Sequence, residues 1–154
     1  MIRLQRILVP TDFSEHSKKA LAYAVELAKT YRAEVVVLHV LELPLYPVSF
    51  GVGPVTIPPV SEELRQAVAQ HLDILRKSDI PADLSARTLT REGRPFYEIC
   101  TAARELDIDL IVIATHGYSG VKHVLLGSTA EKVVRKAPCP VLTVRPEERD
   151  FVLP

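Results

Sequence analysis

The chain has 154 residues, 47% hydrophobic and 25% charged, with 19 basic side chains balanced by 19 acidic ones. That length suits one domain with a full core. The neutral balance gives neither nucleic acid nor an anionic membrane surface any bulk electrostatic attraction.

In chain order, Ile7-Leu8-Val9 is a short apolar run stopped by Pro10. Ser14 then caps a helix reaching about Tyr31, with Ala20, Leu21, Ala24, Val25, Leu27 and Ala28 on one face. Glu34 to Val40 is a β-branched run and predicts a second strand. Residues 41–60 hold five prolines, Gly51 and Gly53, a composition that excludes a membrane helix. Their apolar side chains, among them Leu43, Tyr46 and Phe50, leave two readings open: a lid or partner surface, or a mobile loop packed on its own domain. A helix-period segment runs from Ser61 to about Lys77, with Leu64, Val68, Leu72 and Leu75 spaced for one face. Leu84 to Leu89 alternates loosely and gives way to Arg91-Glu92-Gly93, predicting a third strand. Pro95 suits the first turn of a helix whose inner face is Ile99, Ala103 and Leu106. Leu110 to Ile113 reads as a buried strand, residues 128–136 as a helix and Val141 to Val144 as the last strand.

Five strands alternating with four helices predict an α/β fold: a doubly wound, five-stranded parallel sheet with helices on both faces. Ligands of such sheets sit beyond the carboxyl ends of the strands, where the strand order switches. Two segments occupy such ends. Pro10-Thr11-Asp12 follows the first strand, and Ala114-Thr115-His116-Gly117 follows the fourth. After nine intervening residues Gly117 is followed by Gly127, then Ser128-Thr129-Ala130-Glu131, a capping-box pattern that opens a helix. Strand, glycine-bearing loop and helix N-terminus in this order collect backbone N–H groups and a positive dipole end, and a phosphate is the expected guest.

Each candidate has a plainer reading. Gly117 and Gly127 suit turns, Ser128 and Glu131 cap a helix with or without ligand, and Asp12 is a common turn former. A single His116 more often makes structural hydrogen bonds, and His39 lies within a strand. The five histidines show no metal-ligand spacing. Cys100 falls on an apolar helical face and Cys139 between Pro138 and Pro140, so core thiols are expected and not a disulfide framework. No long apolar signal region opens the chain, which makes cytoplasmic residence the expectation.

Pro10-Thr11-Asp12-Phe13-Ser14, Leu38-His39-Val40, Thr115-His116-Gly117, Gly127-Ser128-Thr129 and Pro138-Cys139-Pro140-Val141-Leu142 together resemble the universal stress protein family. The resemblance spans Ile7 to Val144, with these landmarks in family order. It implies a three-layer α/β/α fold of the adenine nucleotide alpha-hydrolase-like kind in a single domain over residues 1–154, with residues 146–154 as a tail. It also implies a homodimer and a subgroup that binds ATP or AMP. That subgroup's signature is a glycine, two residues, a glycine, nine residues, then glycine followed by serine or threonine. Gly117, Gly127 and Ser128 match it, and Ala114 stands at the first glycine position. By the same resemblance Asp12 would face the ribose or a phosphate-bound metal ion, with Mg2+ as the metal. The Val40 backbone would meet the adenine edge, and Gly117, Gly127, Ser128 and Thr129 would surround the phosphates. Pro10, Thr11, Ala114, Thr115, His116 and Gly120 complete the candidate cofactor site.

Catalysis has little support. The chain has no GxxxxGK[ST] loop, hence no phosphate-clamping lysine, and no GxSxG elbow. Three functions remain: a nucleotide-binding homodimer that regulates an unknown protein partner, a slow Mg2+-dependent ATPase or phosphoryl-transfer enzyme using Asp12, and a nucleotide-free protein-binding dimer. The dimer is expected to pair through its last strand, 141–144, with a tail folding back over that edge as the alternative.

Overall fold

Among the described residues, strand and helix alternate in chain order. The computed structural model describes residues 1, 3–43, 59–117 and 126–146. The elements are β1 (Arg6–Pro10), α1 (Glu15–Tyr31), β2 (Glu34–Glu42), α2 (Glu62–Asp79), β3 (Ala86–Gly93), α3 (Pro95–Glu105), β4 (Leu110–Ala114), α4 (Ser128–Lys136) and β5 (Val141–Val144). All strand pairs are parallel, in the order β3-β2-β1-β4-β5. The order reverses between β1 and β4. That is where two consecutive crossovers run in opposite directions and leave a crevice at the strands' carboxyl ends.

The period-2 alternation of the strands divides the core cleanly. Ile7, Val9, Val35, Val37 and Val112 pack with Ala20, Leu21, Ala24 and Ala28 of α1 and with Val68, Leu72 and Leu75 of α2. Leu8, Val36, Leu38, Ile111 and Ile113 pack on the opposite face with Ile99, Ala102 and Ala103 of α3 and with Ala130 and Val133 of α4. Ile7, Leu8, Val35, Val36 and Ile111 are wholly buried, as expected for parallel strands covered on both faces. At roughly 25 cal/mol per Å² of apolar surface, these two layers supply the main stabilisation of the sheet.

Several sequence expectations shift in detail. Pro10 does not stop β1 but forms its last residue, opposite Leu38, because the paired strand there needs no N–H from it. Leu41 and Glu42 belong to β2, held by Glu92 and Gly93 of β3, so the long loop begins after them. Its residues 44–58 lie outside the described ones, and so does the choice between a lid and a packed loop. The third strand sits two to four residues later than its alternation indicated, since β2 pairs with Ala86 through Gly93. Leu64 is 47% exposed and not on the inner face of α2. Ser61, by contrast, caps that helix by accepting from Leu64 N, and Pro95 occupies its first-turn position in α3.

Cys100 is buried, Cys139 half-buried, and both are free thiols. Burial pushes the Cys139 thiol up to about 11, with the Asp109 carboxylate adding to it. It is therefore protonated near neutral pH and a poor nucleophile. Among the described residues, no helix is long and apolar enough to cross a membrane.

Candidate functional site

The site is built from the two loops that leave β1 and β4. Thr11 N–H donates to Leu38 O at 2.8 Å, extending the ladder one rung past β1. The chain then turns sharply at Phe13, whose φ of 63° lies in the left-handed region. A bulky residue there costs about 1–3 kcal/mol of backbone strain. Local bonds hold it. Phe13 N–H donates to Thr11 Oγ1 at 3.1 Å and Ser14 N–H to Asp12 Oδ1 at 3.0 Å. The Phe13 ring packs against His39 at 4.7 Å and His71 at 5.6 Å between centroids. His39 Nδ1 meets Thr11 O at 2.8 Å. A carbonyl only accepts, so Nδ1 carries the proton and His39 braces the loop.

The second loop closes on the first. Thr115, buried, donates its N–H to Val144 O at 3.0 Å and accepts from Gly127 N at 2.6 Å. A β-carbon on Gly127 would lie 2.8 Å from that same Thr115 carbonyl oxygen. A β-carbon on Gly117 would lie 2.5 Å from Asp12 Oδ2. Each glycine thus permits a close approach within the protein: Gly127 brings the α4 end against β4, and Gly117 brings the β4 loop against the Asp12 carboxylate. His116 Nδ1 lies 2.9 Å from Thr115 Oγ1, within its own loop.

The N-terminus of α4 differs from the capping box read in the sequence. Gly127 is the N-cap, in extended conformation and without a side-chain cap bond, and Ser128 is the first helical residue. Gly127 takes that position because its N–H is tied to Thr115 O, which fixes where the helix starts. Ser128 therefore cannot cap, and Glu131 N–H returns to Gly127 O at 2.9 Å. The Ser128, Thr129 and Ala130 amides form the first turn, where backbone N–H groups have no intrahelical partner and the dipole is positive.

Val40 is placed by the same geometry. In a parallel ladder the N–H and C=O of one residue face the same neighbour, and successive residues alternate. Glu34 N–H bonds Gln5 O and Leu38 O accepts from Thr11, so even-numbered residues of β2 face β1. β1 ends opposite Leu38, and the Val40 N–H and C=O project beyond that last residue on the crevice side. The Ala114 methyl packs against the α1–α2 core layer. Gly120, with Lys122 and His123 of the same spacer, lies outside the described residues. The structure thus brings together Pro10, Thr11, Asp12, Thr115, His116, Gly117, Gly127, Ser128 and Thr129 at one end of the sheet. Among the described residues, no group of three or more His, Cys, Asp or Glu side chains converges as a metal site.

The universal stress protein family model matches residues 3–145. The chain belongs to the universal stress protein family. Universal stress protein YxiE of Bacillus subtilis is 34% identical over 145 residues, which cover 91% of this chain and 98% of that protein. The solved structure of the MJ0577 protein, from Methanocaldococcus jannaschii, superposes with a TM-score of 0.77 at 24% identity, covering 96% of this chain and all of that one. A universal stress protein from Archaeoglobus fulgidus, solved in complex with dAMP, superposes with a TM-score of 0.59 at 22% identity over 93% of this chain and 98% of that one. At those identities the two structures establish the fold, the adenine nucleotide alpha-hydrolase-like one.

Ser14, Phe13 and His39 carry more of the site than the sequence reading assigned to them. Ser14 was legible as a helix cap, but its second bond, to Asp12, was not. His39 looked merely packed because a strand position does not reveal that its ring turns back to the β1 loop.

Proposed function

We propose that this universal stress protein is a nucleotide-binding homodimer, holding ATP or AMP in the crevice between β1 and β4 and regulating a protein partner by its occupancy. The observation that carries the reading is the α4 N-terminus. Its first turn has no side-chain cap bond and is held at the carboxyl end of β4, beside the loop that touches Asp12. A phosphate fits there, with the Ser128, Thr129 and Ala130 amides as donors. The Val40 backbone offers a donor and an acceptor to a purine edge. The dAMP complex of the related Archaeoglobus fulgidus protein supports the same ligand class.

Asp12 contributes charge of the wrong sign for a bare triphosphate, but of the right sign for a divalent cation bound to one. A single carboxylate fits Mg2+ whose other ligands are phosphate oxygens and water. Calorimetric titration with ATP, ADP and AMP, with and without Mg2+, tests the reading. A dissociation constant on the order of micromolar is expected, about −8 kcal/mol, with Mg2+ strengthening ATP binding more than AMP binding. Asp12→Ala is expected to remove that Mg2+ effect. No heat of binding with any of the three nucleotides would reject the reading in favour of a nucleotide-free dimer.

Turnover is expected to be far below the roughly 1 to 1,000 per second of well-evolved enzymes. No phosphate-clamping lysine motif is present in the chain. Sustained ATP hydrolysis above about 1 per second, lost in Asp12→Ala, would replace the binding reading with a Mg2+-dependent enzyme.

A further inference from the structure

We propose that Ser14 is a positioning residue for nucleotide binding, its backbone N–H and hydroxyl together clamping Asp12 Oδ1 so that Oδ2 is held against Gly117. The inference rests on the nucleotide-binding reading and assigns the part that orients its carboxylate.

Thr11, Ser14 and Ser17 are only 7%, 5% and 4% exposed, and their hydroxyls lie in one chain of contacts. Each hydroxyl has a single proton, which fixes the direction of the whole network. Phe13 N–H donates to Thr11 Oγ1 at 3.1 Å. The Ser17 hydroxyl donates to Ser14 O at 2.8 Å. With the Ser17 proton spent there, the Thr11 hydroxyl is the donor in its 3.1 Å contact with Ser17 Oγ. Ser17 N–H donates to Ser14 Oγ at 3.2 Å. Of the two acceptors within reach of the Ser14 hydroxyl, Ser17 Oγ at 3.4 Å and the much closer, charged Asp12 Oδ1, the carboxylate takes its proton. The Ser14 N–H donates to the same oxygen at 3.0 Å.

Two donors on one oxygen of a carboxylate fix its plane. Buried, satisfied networks of this kind are stiff, and bonds to a charged acceptor are the strong ones. The other oxygen consequently lies where a β-carbon on Gly117 would come within 2.5 Å of it, at the opening of the crevice between β1 and β4. Ser14 also caps α1, a role that by itself would not need a bond to Asp12. The carboxylate's orientation is thus set before any ligand arrives, which spares the ligand the entropy of ordering it.

The test separates capping from clamping. Glycine at an N-cap costs only a few tenths of a kcal/mol relative to serine, so Ser14→Gly removes the hydroxyl clamp and largely spares the helix. ATP titration in the presence of Mg2+ is expected to show affinity about tenfold weaker in Ser14→Gly. In the Asp12→Ala background, Ser14→Gly is expected to change affinity by less than about twofold, the signature of a residue acting through its neighbour. A loss of the same size in both backgrounds, or no loss in the single variant, would overturn the inference. Where Asp12→Ala leaves binding too weak to measure, the ligand-free protein decides. The Gly117 amide resonance is expected to move in Ser14→Gly, and an unmoved Gly117 resonance overturns the clamp. That second readout stands even if no nucleotide binds the wild-type protein, in which case the function reading fails and the clamp is judged separately.

Discussion

Gly127→Val is expected to abolish nucleotide binding and to lower the melting temperature by on the order of 5 °C. The sequence alone predicts that valine would fill the space a phosphate needs and leave the fold untouched. The structure corrects the second half. A β-carbon at Gly127 would meet the Thr115 carbonyl oxygen at 2.8 Å, and that atom is backbone, already bonded to Gly127 N at 2.6 Å. Thr115 in turn is tied to Val144, so moving it disturbs the β4–β5 register. Overpacking of this sort costs about 1–3 kcal/mol, and at 154 residues each kcal/mol lowers the melting temperature by roughly 2–4 °C. Thermal melting and ATP titration on the same sample check both parts. An unchanged melt would show that the α4 N-terminus does not sit against Thr115. Unchanged affinity in a folded variant would remove the phosphate from this turn. Gly117→Ala is the contrasting case. Its methyl meets the tip of the Asp12 side chain and no backbone atom. What is displaced is the clamped carboxylate and not the sheet, so binding is expected to suffer more than stability.

That pair of glycines shows where sequence reasoning stops. The strands and helices were legible because burial on both faces writes continuous apolar runs, as in Val35 to Leu38, and a helix writes period-3.6 stripes, as in α1. Ser14, Ser61 and Pro95 were legible as helix starts because capping is chemistry within four residues. The two loops were legible as lying at the same end of the sheet because alternation makes the strands parallel. That β1 and β4 are neighbours was not, since alternation leaves the strand order open. The cause of each glycine was not. Gly117 is required by a carboxylate 105 positions earlier, and Gly127 by a carbonyl at the opposite end of its own β4–α4 connection, contacts that no local pattern encodes. The Ser-Thr-Ala-Glu pattern at residues 128–131 misled for the same reason. A tertiary bond from Gly127 to Thr115 moved the cap one residue back and turned Ser128 from a cap into a first-turn amide. The phosphate argument is stronger for it, because no described side chain caps those amides.

Thr143→Pro is expected to convert the proposed homodimer into a monomer that keeps its fold. The sheet has two edges. β3, at one of them, carries Arg87, Arg91 and Glu92 along its length, and charged edge strands resist pairing with another chain. β5, at the other, is Val-Leu-Thr-Val with no charge, and Leu142 is 37% exposed. Val144 is already buried against the α1 layer, so a partner there would gain chiefly the free strand edge and Leu142. Which amide serves that edge follows from the ladder. Ile111 N–H bonds Pro140 O and Thr115 N–H bonds Val144 O, so even-numbered residues turn inward to β4. The Val141 and Thr143 amides face outward. Proline at 142, the substitution that strand position alone would nominate, removes an inward bond and loosens β5 from its own sheet. Proline at 143 removes an outward donor from an edge strand, where proline is tolerated. Light scattering on the folded variant decides: a halved mass supports pairing of β5 across a two-fold axis, and a mass equal to that of the wild-type dimer excludes this interface.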